Sequence, residues 1–365
     1  MNDEYEKQFN KISDSYHEAS NAKSKIQILE ELIRLADSVG DIHGAFDARK
    51  ELVQCATFSG QDDKALVAFT WCLAQSDKQP DEFHVPSLLW QYKWILGNLA
   101  SFVRIPKSKV YELQDDMQRR LLAAGYNLRP IHLLRWRSAI TMGEFERAKE
   151  HMELWKVTKR DGMSDCEACE QSKLSYYFSQ IGELERSVQV AEDLVKDGLS
   201  CGEVPESTYG DLVQTYMRLG RVEELKANRK AWYKMVKDNE SFLIAVTNHL
   251  LLAIGLDDLP TATALFEKHA IWAIESPSDN ERFEFYNAAG LMFNALASTE
   301  PTIRIKVPDG FPFKREDHSY GCTEVAGWFQ NEANELASRF DQRNGNSYFA
   351  DTIEQTKVLV QTWLD

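Results

Sequence analysis

Gly40, Gly60, Gly97, Gly143, Gly182, Gly220, Gly255 and Gly290 each follow an apolar run with helical spacing and usually precede a pair such as Asp41-Ile42, Glu144-Phe145, Glu183-Leu184 or Arg221-Val222. Glycine accepts the left-handed backbone that closes a helix, so the pattern predicts a string of helical hairpins. From Gly60 onward the steps are 37, 46, 39, 38, 35 and 35 residues, inside the range of roughly 20 to 50 residues that marks stacked supersecondary units. Such a chain grows by adding units side by side, each covering the apolar face of the one before. The expected fold is therefore an all-α solenoid formed as one continuous array.

Composition supports a packed core and narrows the partners. With 43% hydrophobic residues, 9 Trp, 13 Tyr and 18 Phe in 365 residues, the chain has enough apolar surface to order itself. A formal charge of −15 and a pI near 5.1 repel phosphate backbones, whose binding depends on Lys and Arg. Nucleic acid and anionic membrane are thus expected non-partners, and basic or neutral peptides and proteins remain. The first residues are polar, with Asp3, Glu4 and Glu6, unlike the basic and apolar start of a secretory signal. No run reaches the roughly 18 apolar residues that span a bilayer, and a cytoplasmic location is expected. Six cysteines are too sparse for a disulfide scaffold.

Along the chain, Tyr5, Phe9, Ile12 and Tyr16 form one helical stripe, and Ile26, Leu29, Ile33 and Ala36 form the next. Residues 45–58, 64–75 and 86–96 continue the pattern. The segment Arg104-Ile105-Pro106-Lys107-Ser108 interrupts it, because proline removes an amide donor and crowds the preceding turn; this accounts for the long step of 46. Pro130 stands where a helix would start. Residues 170–180, 207–219 and 242–254 are the first helices of later units, each with a second helix after its glycine. Residues 299–320 change character, with Pro301, Pro308, Gly310 and Pro312 and the alternation Ile303, Ile305, Val307. They read as a loop crossing the surface. Residues 321–365 then supply a last hairpin, with Gly345 as its stop, capping an array over residues 1–298.

The unit ending in Gly143-Glu144-Phe145-Glu146-Arg147-Ala148 resembles the tetratricopeptide repeat, in which a glycine closes the first helix, an aromatic follows at +2 and an alanine at +5. Here +2 is Ile42, Leu99, Phe145, Leu184, Val222 or Met292, and +5 is Ala45, Ala65, Phe102, Ala148, Ser187, Leu225 or Ala295. Gly60 and Gly255 depart from the pattern, with Asp62 and Asp257 at +2. The resemblance covers roughly residues 20 to 300. It implies a right-handed superhelix of antiparallel helix hairpins, non-catalytic and acting as an adaptor, scaffold or peptide receptor. Bacterial regulators that sense short peptides or hold a response regulator look similar in length and repeat number.

In stacks of this kind the first helices line a concave groove, and the residue six before each closing glycine points into it. Counting back gives Gln54, Gln91, Arg137, Tyr176, Gln214, His249 and Glu284, an unbroken polar register suited to an extended peptide backbone. Trp94 would add an apolar anchor to that protein- or peptide-binding groove.

Cys166-Glu167-Ala168-Cys169 has the spacing that lets two thiolates share one zinc ion, or form a redox pair at a helix start. Cys201 lies 35 residues after Cys166, about one repeat, and should reach the same edge of the stack. His132 and His151 are the candidate fourth ligands. Cys55, Cys72 and Cys322 read as small core residues. The main alternative to a scaffold is an (α/α) toroid carbohydrate-active hydrolase, which needs a pair of acids. Asp62-Asp63, Asp115-Asp116 and Asp257-Asp258 are the candidates, though adjacent acids more often cap helices or face solvent. The chain contains no nucleophile elbow, Walker A loop, HExxH or dinucleotide fingerprint.

Overall fold

A computed structural model describes residues 3–83 and 85–364, with the backbone alone at 62, 85 and 364. Among the described residues the chain forms seventeen α-helices and one two-stranded sheet. Its contacts divide it into two compact units. Residues 1–99, 109–134 and 155–163 form the first, and residues 100–108, 135–154 and 164–365 the second.

The first unit contains α1 (Asp3–Glu18), α2 (Ala22–Val39), α3 (Ile42–Thr57), α4 (Asp62–Lys78), α5 (Val85–Asn98) and most of α6 (Lys107–Ala123). Consecutive helices from α1 to α5 pack on one another. Asn21 and Asp41 cap α2 and α3 through the amides of Ser24 and Gly44, which fixes where each helix begins. The apolar face of α2 buries Ile26, Leu29, Leu32 and Ala36. Ala45 and Ala65, at +5 after Gly40 and Gly60, are both buried. A small side chain there lets two backbones approach closely. Helix α6, with Val110, Gln114, Met117 and Leu121 buried, fills the long 46-residue interval; the sequence reading placed only an interruption there.

The helices α7 (Arg129–Thr141) and α8 (Phe145–Val157) have residues in both units. The second unit continues with α9 (Glu167–Gln180), α10 (Leu184–Lys196), α11 (Glu206–Arg218), α12 (Val222–Val236), α13 (Leu243–Gly255), α14 (Leu259–Glu275), α15 (Asp279–Ala297), α16 (Cys322–Asn344) and α17 (Tyr348–Leu364). Here α9, α11, α13 and α15 each touch the next of the four, while α10, α12 and α14 pack beside them.

The turns after the first helices share one backbone conformation. Gly143, Gly182 and Gly220 have φ of 73°, 84° and 66°, and Glu144 and Arg221 donate back to the carbonyls of Ala139 and Tyr216 at 2.8 and 3.0 Å. This is the closure expected of a left-handed helix end. After α13 it is Asp257, not Gly255, that takes the left-handed position, with φ 53°, and Asp258 donates to Ala253 at 2.9 Å. Gly97 stands one residue before the end of α5 without a positive φ, and Gly290 ends nothing. Gly290 lies mid-way along α15, where a Cβ would sit 3.0 Å from Gln330 Cγ on α16. There glycine serves helix packing, not chain reversal.

Residues 299–320, expected as a loop, carry the antiparallel strands β1 (Thr302–Arg304) and β2 (Ser319–Gly321), with Ile303 opposite Tyr320. Ile305, Phe311 and Tyr320 are buried, and Phe311 meets Trp328 and Phe329 of α16. The segment thus joins α15 to α16, which pack together as a pair. Helix α17 touches α16 and also returns across α11, α13 and α15.

Gly210 on α11 faces α13 so closely that an added Cβ would overlap Ala245 and approach its Cα, whereas Gly182 has open space around it. Gly210→Ala is expected to cost about 1–3 kcal/mol by overpacking, and Gly182→Ala about 1 kcal/mol from its positive φ alone. Urea unfolding of both variants checks the order, and a Gly210→Ala protein as stable as wild type would contradict the close helix contact.

Candidate functional site

The second unit contains a groove of about 1660 Å³. One side comes from the first helices, through Tyr176 of α9, Asp211 and Gln214 of α11, Ile244 and Asn248 of α13, and Glu284 of α15. The other comes from α17, through Tyr348, Thr352, Gln355, Leu359 and Trp363. Helix α17 is tied across the ends of the first helices. Asn346 Nδ2 donates to the Met142 carbonyl at 2.7 Å, Tyr348 Oη to Gln180 Oε1 at 3.3 Å and Trp363 Nε1 to the Met217 carbonyl at 2.9 Å.

Measured from the left-handed turn residues Gly182, Gly220 and Asp257, two registers emerge. Lys173, Asp211 and Asn248 stand nine before the turn, and Tyr176, Gln214 and Leu251 stand six before it. Asp211, Asn248, Tyr176 and Gln214 line the groove; Leu251 belongs to the core. The registers are held by contacts between neighbouring first helices. Thr208 donates to Ser172 Oγ at 2.8 Å, Ser179 and Thr215 hydroxyls meet at 2.8 Å, and Asn248 Nδ2 donates to the Gly210 carbonyl at 3.0 Å. Each pair buries its polar atoms with a partner, which removes most of their desolvation cost.

Several groove groups have no such partner. Among the described residues, the side chains of Asp211, Gln214 and Glu284 make no hydrogen bond or ion pair within the protein. Burial pushes the Asp211 carboxyl up to about 6 despite the opposing charge of Lys173, and pushes Glu284 up to about 7. Burial and the Arg137 charge push the Lys173 ammonium down. Burial, with the Tyr348, Asp211 and Glu284 charges, holds the Tyr176 phenol well above its ordinary value. These groups lie deep enough for desolvation to matter and remain only half-buried, so water or a ligand can reach them.

The structure gathers Tyr176, Gln214 and Glu284 in this groove, with the half-buried Arg137 close enough for its charge to act on Lys173 and Tyr176. The other register residues lie elsewhere. Gln54 is exposed on α3. Gln91 is buried on α5 and donates to the Lys50 carbonyl at 2.9 Å. Trp94 packs edge-on against Phe58 at 5.0 Å. His249 is buried, its ring against Tyr233, and burial pushes its imidazole down to about 4; Asn248 faces the groove instead. Counting six back from Asp257, which makes the turn, gives Leu251, also in the core, so α13 brings no residue of that register into the groove. Lys173 and Asp211 were missed although each stands three residues before a register residue, on the same helical face.

At another part of the second unit, Cys166, Cys169 and Cys201 place their Sγ atoms within 4.8 Å of one another, with Cys169 and Cys201 at 2.9 Å. All three are free thiols. Against burial, hydrogen bonds from Cys169 and from the amides of Glu203 and Val204 hold the Cys201 thiol below its usual value, whereas burial raises Cys169. Neither His132 nor His151, both buried, belongs to the cluster. Cys72 and Cys322 are buried, and Cys55 is half-buried beside the Tyr16 hydroxyl.

The acid pairs have structural uses. Asp116 is bound by Arg119 and Arg120, and Asp258 caps α14 and pairs with Arg229. The Asp62 side chain lies outside the described residues. No known protein-family model matches the chain, and no characterised protein is significantly similar to it in sequence. No helix among the described residues is long and apolar enough to cross a membrane.

A carboxyl whose folded pKa is raised stabilises the protein fully below its unfolded value and loses that contribution as pH rises through the folded one. Glu284, at about 7 when folded, therefore opposes folding at pH 8. Glu284→Gln is expected to be more stable than wild type at pH 8 by about 2 kcal/mol, discounted for water in the groove, with the gap closing toward pH 4.5. Thermal unfolding at both pH values measures it; a gap independent of pH would show that Glu284 is not desolvated.

Proposed function

We propose that the groove of the second unit receives an extended peptide segment, either a short peptide or a stretch of a partner protein, and that the protein acts as a non-catalytic scaffold or regulator in the cytoplasm. On this reading, α9 to α14 are tetratricopeptide-like hairpins stacked in a right-handed superhelix. The observation that carries it is the set Asp211 and Gln214 of α11 and Glu284 of α15, which face one groove without a hydrogen-bond or ion-pair partner among the described residues. Half-buried polar groups left unsatisfied cost folding free energy, and a ligand with donors and acceptors at matching intervals recovers it.

An extended peptide fits this demand. Its N–H and C=O groups recur along the backbone, and an amide such as Gln214 can donate to one and accept from the other. Asp211 and Glu284 add acceptors that favour a neutral or basic ligand. A cationic group beside them stabilises their ionised forms, so affinity for such a ligand weakens as pH falls below about 6 and the carboxyls take up protons. The preformed shape matters as well, since a groove that needs no reorganisation leaves more of the contact energy as affinity.

Panning a random peptide library on the intact protein tests the proposal. Recovered peptides should bind wild type and lose at least about tenfold in affinity, or about 1.4 kcal/mol, to a Gln214→Ala, Asp211→Asn double variant of unchanged helical content. Peptides that bind both proteins equally, or a library that yields none, would overturn it.

A further inference from the structure

The three thiols outside the groove are arranged as more than neighbours. Cys166 is the N-cap of α9, with extended backbone at φ −62° and ψ 152°, and its Sγ accepts from the Cys169 amide at 3.4 Å. Cys169 follows one turn later, which places its sulfur at the same helix end. The N-terminus of a fourteen-residue helix favours negative charge, so both sulfurs sit where a thiolate is stabilised.

Cys201 comes from the loop between α10 and α11 and completes the group with a second set of amides. Its own amide donates to the Val204 carbonyl at 3.0 Å, closing a tight turn. The amides of Glu203 and Val204 in that turn favour its thiolate form. A thiol is a weak acceptor and a thiolate a far better one, so a sulfur near backbone N–H groups is prepared for the anion. Ala168, Leu194 and Val204 are buried as a small apolar cluster, with Cys169, Leu199 and Cys201 packed on it, which fixes the two backbone segments relative to each other.

We propose that Cys166, Cys169 and Cys201 bind one zinc ion as thiolates. Three sulfurs each about 2.3 Å from a tetrahedral zinc stand roughly 3.8 Å apart, and the present separations, all within 4.8 Å, reach that arrangement by side-chain rotation. Binding displaces three thiol protons and leaves a site of net charge −1. Among the described residues no His, Asp or Glu donor joins the cluster, and Cys166 is exposed. The fourth position therefore faces outward, for water or for a ligand atom from another molecule, the pattern of zinc sites that exchange a ligand. This site is independent of the groove: it shares none of the groove's lining residues.

The test uses the full chain without a histidine tag, purified in reductant, loaded with Zn²⁺, passed through a desalting column and analysed for metal by mass spectrometry. One zinc per chain is expected, and Co²⁺ in its place should give the intense near-ultraviolet absorption of thiolate-to-metal charge transfer. Cys166→Ser changes an exposed residue, so its fold should survive. It should weaken zinc binding by more than the roughly tenfold that an outer-shell change costs. Cys166→Ser with Cys201→Ser should abolish binding, and Cys55→Ser should leave it unchanged, with circular dichroism confirming helix content in each. A wild-type chain that retains no zinc, a Cys169–Cys201 disulfide that persists in reductant, or equal binding by Cys166→Ser would overturn the proposal.

Discussion

The second unit depends on how closely its first helices approach one another. Gly210 lets α11 lie against Ala245 of α13, and the hydroxyls of Ser172 with Thr208 and Ser179 with Thr215 bridge α9 and α11. Small residues and short hydroxyl pairs replace bulky apolar side chains at these contacts. The hydroxyl pairs also set register, because each satisfies its partner only when the two helices are aligned. With register fixed on the buried side, Asp211, Asn248, Tyr176 and Gln214 fall on the side that lines the groove, while Leu251 stays in the core. The row formed by Lys173, Asp211 and Asn248 is thus the outward result of contacts made inside.

Much of this architecture was legible in the chain because it is local. Gly143, Gly182 and Gly220 take positive φ, and α9, α11 and α13 begin and end within a few residues of their expected limits. The match of Cys201 with Cys166, inferred from one repeat of spacing, brings the sulfurs together. Gly255 and Gly290 show where local reading failed. A glycine that ends a helix and one that makes room for a neighbouring helix follow the same apolar run, and only the packing of α16 on Gly290 distinguishes them. Asp257 adopts the left-handed turn that glycine was expected to make. Helix α6 was hidden because its stripe Val110, Gln114, Met117 and Leu121 follows Pro106 directly and carries a polar residue among the buried ones. The return of α17 across α11, α13 and α15 is a long-range fact with no local mark.

Two kinds of polar group in the second unit show different chemistry. In the groove, Asp211 and Gln214 of α11 and Glu284 of α15 are left without hydrogen-bond partners, which on the proposed reading suits an elongated ligand that meets each weakly. At the cysteines, three soft donors from two backbone segments converge on one point, with the Cys169 amide directed at the Cys166 sulfur. Distributed hydrogen-bonding groups favour shape and sequence, whereas a thiolate cluster favours a single small cation.

Stacks of helical hairpins stretch and twist like springs, because each unit touches only its neighbours. Helix α17, with Asn346 in the turn before it, opposes that freedom by hydrogen-bonding at Met142, Gln180 and Met217, at or just beyond the ends of three successive first helices. Like a batten nailed across slats, it holds their spacing constant. The row of groove positions is therefore held like a ruler of fixed graduations: on the proposed reading an occupant would have to match the interval already present, and the loss of freedom on binding would fall on the occupant.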